Sequence, residues 1–210
     1  MIEFYNDGHT YIAGNTLSDT AVISGQAATV YGVAQLSGTT ASAGLSDKVV
    51  YPYFSRCYLP SQGYVVAVLD FLQYYLETSG IGWDKVAILA TTDSYGILAS
   101  SDFINRVKNE NLPIKVLTYQ TILVGQVDQS VEMREIKNSG ARVIVTFVIS
   151  SYQFVALESV KYELVGPTYV WIAGLSFSFY FLKNSNFVQK RIFVIFFRNL
   201  HCDRYNQLFI

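Results

Sequence analysis

The side chains that could do chemistry in this chain are mostly hydroxyls, because acid–base and metal-ligating groups are sparse. The two histidines, His9 and His201, lie at opposite ends of the sequence and form no recognisable triad or zinc motif. Asp93 and Asp102 could be read as paired carboxylates, but their positions favour helix caps and solvated helix faces. We therefore expect no enzymatic activity, no cofactor and no metal site.

Hydroxyl side chains instead gather where predicted strands end and predicted helices begin. They are Ser18, Thr39, Thr40, Ser42, Ser94, Ser150 and Ser151, and Tyr95 follows one of the same strands. In a parallel α/β sheet, ligands lie beyond the carboxyl ends of strands, beside helix N-termini whose free N–H groups suit a carboxylate. Taken singly, Ser18 and Ser150 are more simply explained as helix caps.

Composition limits the classes of protein to consider. The chain has 210 residues, of which 51% are hydrophobic and 15% charged, so a sizeable core is expected. A net charge of −1 without a basic run argues against nucleic acid or an anionic membrane surface as the main partner. Cys57 and Cys202 leave the redox compartment open. The sequence predicts no signal peptide and no segment approaching the roughly 20 apolar residues of a membrane span.

Helices and strands are predicted to alternate along most of the chain. Residues 18–31 predict a helix and residues 32–38 a short buried strand. Further helices are predicted over 64–80, 100–111, 128–140 and 150–166, with strands over 86–91, 114–120, 141–148 and 167–174. The continuous apolar runs indicate strands covered on both faces. This order is typical of a parallel α/β sheet with right-handed crossovers.

The sequence after Gly174 has a different character. Residues 175–210 are rich in Phe, Asn, Arg and Ile, and they show no clear period of two or 3.6. One interpretation is a helix and a strand that the pattern does not resolve. The other, which composition favours, is sequence foreign to the domain, such as translation through an intron or a frameshift.

Several segments in a fixed order resemble the ligand-binding region of class C receptors. The most specific are LSDK…YPYFSR (45–56) and W-x-K-V…D-S-Y-G (83–96), and the resemblance extends from residue 11 to about 175. The related proteins are metabotropic glutamate and GABA-B type receptors, natriuretic-peptide receptors and bacterial branched-chain amino-acid binding proteins. The resemblance implies a type I periplasmic-binding-protein-like α/β fold, with two Rossmann-like lobes and parallel sheets around a ligand cleft.

The resemblance also implies a division of the chain. Residues 1–80 would form part of lobe 1, 81–174 would form lobe 2, and 175–210 would be an atypical tail. Against the family pattern the domain is expected to be incomplete at both ends, with membrane attachment supplied only by segments outside this sequence. Ligand would close the lobes on the extracellular side of the plasma membrane, and the closure would pass to a membrane domain. Homo- or heterodimers through lobe 1 helices are a further implication.

Six positions are carried over as candidate ligand-binding residues. Ser18 matches a lobe 1 serine that accepts the ligand carboxylate, and Thr39, Thr40 and Ser42 match the cleft loop. Tyr95 matches the tyrosine of the lobe 2 turn. Ser150 lies where a second lobe 2 contact loop begins.

The remainder of the aromatic segment is expected to be scaffold. Ser46 and Asp47 would form turns or caps, Tyr51 and Phe54 would fill the core beneath the loop, and Arg56 would be buried in a structural role.

Two departures from the family pattern bear on the ligand. Amino-acid-sensing members carry an acidic residue where this chain has Gln62, and an aspartate where it has Leu175. Without these carboxylates a buried ammonium group would lack a charge partner. We therefore predict a small polar ligand that is not a glutamate-like α-amino acid.

The leading interpretation is a fragment of the ligand-sensing domain of a cell-surface receptor, of the class C G-protein-coupled type. Three alternatives stay open: a soluble solute-binding protein of a transport system, an ectodomain piece of a receptor guanylate cyclase, and a non-functional gene fragment.

Overall fold

The computed structural model describes residues 2–78, 83–149 and 151–173, together with the strand backbone of 193–196. Its strands are β1 (Tyr11–Ala13), β2 (Ala34–Ser37), β3 (Phe54–Arg56), β4 (Lys85–Thr91), β5 (Lys115–Ile122), β6 (Val143–Phe147), β7 (Val170–Ala173) and β8 (Phe193–Phe196). Its helices are α1 (Ile2–Asn6), α2 (Ser18–Tyr31), α3 (Ser61–Thr78), α4 (Ser94–Asn109), α5 (Ser130–Asn138) and α6 (Tyr152–Lys161).

The strands form two separate sheets in which every pairing is parallel. The first sheet has the order β1-β2-β3, and the second has the order β5-β4-β6-β7-β8. Helices α4, α5 and α6 connect β4, β5, β6 and β7 in turn, as parallel pairing requires. The predicted α/β class with parallel sheets is therefore confirmed.

The first sheet is covered by α2 and by the segment between β2 and β3. Ala21 of α2, Leu45, Tyr51 and Phe54 form a buried cluster. The aromatic residues of the segment thus fill the core beneath the loop, as the sequence predicted. Helix α2 keeps its predicted bounds and ends at Gly32, whose φ of 64° is a left-handed conformation that glycine adopts readily.

The central strands β4 and β6 of the second sheet are buried on both faces, which explains their long apolar runs. In β4, Val86, Ile88 and Ala90 face one core cluster, whereas Ala87 and Leu89 face the other. Helices α3 and α4 contribute to the first of these clusters, and α5 and α6 contribute to the second. Because successive side chains of a strand point to opposite faces, both sets must be apolar.

Helix α3 packs against the second sheet, although sequence reasoning assigned it to the first lobe. Its buried residues Val65, Val68, Leu69 and Leu72 belong to the same cluster as β4 and β6. The division at residue 80 stays a prediction, and this packing favours a boundary between β3 and α3.

Two predicted element limits need correction. Helix α4 begins at Ser94 rather than at residue 100, because Asp93 caps the helix and accepts hydrogen bonds from the N–H groups of Tyr95 and Gly96. The N-cap of α2 is Leu17, which has no capping side chain, so Ser18 is the first helical residue instead of the cap. Within the predicted atypical tail, β8 pairs in parallel with β7, and the rest of the tail lies outside the described residues.

Candidate ligand-binding site

The loop after β2 forms one wall of the candidate site and is held in place by its own hydroxyl groups. Ser37 Oγ donates to the carbonyl of Asn15 at 2.7 Å and accepts from the N–H groups of Thr39 and Thr40 at 3.4 and 3.3 Å. Thr39 Oγ1 donates to the carbonyl of Thr16 at 3.1 Å. These bonds fix the loop after β2 to the loop after β1, so the hydroxyl-rich sequence shapes the wall before any ligand arrives.

Two predicted site residues of this wall have different surroundings. Thr39 is exposed, and its hydroxyl is already engaged with the neighbouring loop. Thr40 is 1% exposed, and its Oγ1 has no hydrogen-bond partner within the described structure. Of this pair, Thr40 is therefore the residue whose hydroxyl lacks a protein partner in the described structure.

The N-terminus of α2 completes the first wall. Ser18 Oγ accepts a hydrogen bond from the N–H of Ser42 at 3.2 Å. Ser18 is 2% exposed and Ser42 is fully buried. A hydroxyl that accepts one bond still carries a proton to donate, and the first N–H groups of a helix have no intrahelical acceptor. This corner can therefore offer several donors to an anionic or carbonyl oxygen.

Arg56 supports the loop from behind, in the structural role that the sequence predicted. Its Nη1 donates to the carbonyl of Ser42 at 2.7 Å, and its Nη2 donates to Ser46 Oγ. Burial lowers the pKa of the Arg56 guanidinium from its ordinary value. Even so, an arginine remains charged at any physiological pH, so it holds the loop as a cation.

The N-terminus of α4 forms the second wall. Asp93 is 6% exposed and accepts from the N–H groups of Tyr95 and Gly96, both at 3.2 Å, and from Thr91 Oγ1 at 2.5 Å. A Cβ atom at Gly96 would lie 2.1 Å from the carbonyl oxygen of Thr91. Glycine is thus required there, because the helix end approaches the ends of β4 and β6 so closely.

The two walls touch at Ser94. The backbone N–H of Ser94 donates to Asp19 Oδ1 at 2.9 Å, and Ser42 Oγ donates to the carbonyl of Ser94 at 3.4 Å. The Ser94 hydroxyl itself is buried and has no partner in the described part of the chain. The structure therefore brings Ser18, Ser42 and Ser94 together through consecutive hydrogen bonds.

The side chain of Tyr95 lies inside the core rather than at the surface of the candidate site. The residue is fully buried in the core cluster of the second sheet, and its Oη has no hydrogen-bond partner among the described residues. Burial raises the pKa of the Tyr95 hydroxyl well above its ordinary value, and the nearby Tyr152, Tyr64, Tyr58 and Asp93 raise it further. The hydroxyl therefore stays protonated and can donate.

Ser61 was not selected by sequence reasoning, yet it belongs with these groups. It is the first residue of α3 and is 1% exposed, and its N–H donates to the carbonyl of Ala41 at 2.7 Å. Its Oγ is buried without a partner in the described structure. The position after Pro60 was the available signal, because serine often begins a helix. We call Thr40 Oγ1, Ser61 Oγ, Ser94 Oγ and Tyr95 Oη the unpaired hydroxyls.

The remaining predicted contact, Ser150, lies outside the described residues. Its neighbour Ser151 is the N-cap residue of α6, but its side chain makes no capping bond. Instead, Ser151 Oγ accepts from the N–H of Gly125 at 2.9 Å, which connects the loop after β5 to the start of α6. Gln62, where amino-acid sensors carry an acid, is exposed on α3.

Two parallel sheets whose strand ends meet at polar loops define a type I periplasmic-binding-like domain. The chain matches the family described as the receptor family ligand binding region over residues 1–200, and it belongs to that family. Comparison with curated proteins gives no match. Across residues 2–78, 83–149 and 151–173, no helix is long and apolar enough to cross a membrane. The same residues contain no group of three or more His, Cys, Asp or Glu side chains that could hold a metal ion.

Proposed function

We propose that this chain is the ligand-sensing region of a cell-surface receptor, that it binds a small polar molecule between the two walls, and that it signals by closure of its lobes. The observation that carries the proposal is the set of unpaired hydroxyls, which come from four separate positions around the junction of the walls. A buried hydroxyl without a partner costs about 1–3 kcal/mol. A bound polar molecule would supply partners for these hydroxyls.

The chemistry of the walls indicates which ligands would fit. Hydroxyl groups both donate and accept, so they pair with hydroxyl, carbonyl or carboxylate oxygens. The nearby carboxylates of Asp19 and Asp93 already accept hydrogen bonds from the N-terminus of α4. A ligand ammonium would need a carboxylate of its own, and its burial without one is costly. The proposed ligand is therefore a small hydroxylated or oxo compound.

The proposed setting follows the family's description as a receptor ligand-binding region. We place the domain on the extracellular side of the plasma membrane, in a class C G-protein-coupled receptor, and without catalytic activity of its own. Dimerisation through the first lobe is part of the same proposal.

Matched pairs of compounds test the ligand class. The thermal unfolding of the full chain is followed with 2-hydroxyglutarate against glutamate and with 2-hydroxyisocaproate against leucine, within a wider panel of oxo acids and sugars. Each pair differs only in a hydroxyl or an ammonium at the same carbon. We expect the hydroxy acid of each pair to raise the midpoint temperature of unfolding. The matching α-amino acid should leave that temperature unchanged.

Two results would count against the proposal. Stabilisation by glutamate or leucine at micromolar concentration would overturn the ligand class. A ligand at about one hundred times its dissociation constant stabilises a protein by about 2.7 kcal/mol. If no compound of the panel stabilised the chain at about one hundred times a micromolar dissociation constant, binding of small polar molecules at this site would be overturned.

A further inference from the structure

The N-terminus of α4 is occupied by two carboxylates, and one of them comes from the opposite wall. Asp93, the residue that caps the helix, accepts from the N–H groups of Tyr95 and Gly96. Asp19, in the first turn of α2, accepts from the N–H of Ser94 at 2.9 Å. The first three N–H groups of this 16-residue helix therefore each have a carboxylate acceptor.

Local helix capping does not require the second carboxylate. One capping side chain and solvent normally satisfy the end of a helix, and Asp19 belongs to a different helix 75 residues away in sequence. Asp19 is exposed, so its side chain is not forced into this position by burial. The hydrogen bond between Asp19 and Ser94 joins the two walls. Ser94 makes a second bond between the walls, because its carbonyl accepts from Ser42 Oγ.

We propose that Asp19 is a built-in carboxylate clasp: it holds the two walls together without ligand and keeps external anions from the N-terminus of α4. The proposal rests on the proposed function, because it describes how the same cleft is regulated. The Ser94 and Tyr95 hydroxyls at this helix end are buried without partners. A ligand that reaches these hydroxyls meets the Asp19 carboxylate, so the ligand group that faces α4 is not anionic.

The test measures the separation of the walls in the full chain, with no ligand present. Cys57 and Cys202 are replaced by serine, and spin labels are placed at Ile23→Cys on α2 and Val131→Cys on α5. Both label positions are exposed, at 69% and 63%. The distance distribution between the labels is then recorded for the parent protein and for Asp19→Ala.

We expect Asp19→Ala to reduce the ratio of closed to open conformers by about two- to fivefold, the range of a single carboxylate at a helix N-terminus. Acetate should restore the closed distance in Asp19→Ala, because it supplies the missing carboxylate, whereas chloride at equal ionic strength should not. Acetate should leave the parent protein unchanged. Asp19→Asn, whose amide oxygen can still accept, should give an intermediate ratio.

The control is Asp70→Ala, which removes the same charge from an exposed position on α3. Identical distance distributions for the parent and Asp19→Ala would overturn the clasp, and so would an equal response of Asp19→Ala and Asp70→Ala to acetate. Circular dichroism checks that each variant is folded, and Asp19→Asn decides the question if the alanine variant is not. Because no ligand is used, a negative result removes the clasp and leaves the ligand proposal standing.

Discussion

Substitution of Gly96 by alanine should destabilise the chain, because the added Cβ would clash with the ends of β4 and β6. The added Cβ would lie 2.1 Å from the carbonyl oxygen of Thr91, 2.8 Å from its nitrogen and 2.9 Å from the carbonyl oxygen of Phe147. Ordinary contacts begin near 3.4 Å, so the helix end must move by about 1 Å. The obstructing atoms are backbone atoms of buried strands, which cannot rotate away as a side chain can.

The size of the effect follows from three terms. Overpacking costs about 1–3 kcal/mol, and displacement of the Asp93 cap costs about 1 kcal/mol. Alanine recovers about 1 kcal/mol through its higher helix propensity. We therefore expect a loss of about 1–3 kcal/mol, which lowers the melting temperature of a chain of this length by about 2–12 °C.

The assay is thermal and urea unfolding followed by circular dichroism, with Gly44→Ala as the matched control. A Cβ at Gly44 would meet Leu98 Cδ1 at 3.4 Å, an ordinary contact with a flexible side chain. The control should stay within about 0.5 kcal/mol of the parent. Equal stability of Gly96→Ala and the parent would refute the close approach of α4 to the strand ends.

Two further substitutions test the packing around the site. Thr91→Val removes a hydroxyl that donates to Asp93 Oδ1 at 2.5 Å and lies 3.3 Å from the carbonyl of Phe147. Urea unfolding should show a loss of about 1–3 kcal/mol in the free energy of unfolding. An unchanged urea midpoint would contradict a stabilising role for this hydroxyl. Trp171→Phe removes the hydrogen bond that Nε1–H donates to the carbonyl of Leu164 at 2.8 Å. The free energy of unfolding should fall by about 1–3 kcal/mol. A loss below about 0.5 kcal/mol, which is usual for surface changes, would show that the Leu164 carbonyl finds another donor.

The order of elements could be predicted because burial leaves a direct mark on sequence. Strands β4 and β6 are mainly apolar because both of their faces are covered. Gly32 marks the end of α2 through its left-handed conformation. The start of α4 was missed because the signal is a single side chain, Asp93, whose hydrogen bonds to two N–H groups set the boundary. The sheet on which α3 packs could not be read from its own residues, because an apolar helix face fits either sheet.

The sequence identified most of the hydroxyl residues of the candidate site, but it could not identify their hydrogen-bond partners. Serine at a helix start predicts a cap, whereas the Ser18 hydroxyl accepts from Ser42 across 24 residues of sequence. Thr39 and Thr40 look alike in sequence, yet one hydroxyl is bonded and the other is buried and unpaired. These differences arise from tertiary contacts, and Ser61 escaped notice for the same reason.

The measurement that tests the central claim most directly is titration calorimetry of the parent protein and Thr40→Val with the compound that gives the largest thermal shift. Thr121→Val, the same chemical change at an exposed position of β5, is the control. Valine keeps the volume of Thr40 and removes an unpaired buried oxygen. The fold should therefore be as stable as the parent or more stable, while affinity should fall about tenfold, the equivalent of one hydrogen bond of about 1.4 kcal/mol. Equal affinity in the parent and Thr40→Val would contradict a ligand site built on the unpaired hydroxyls.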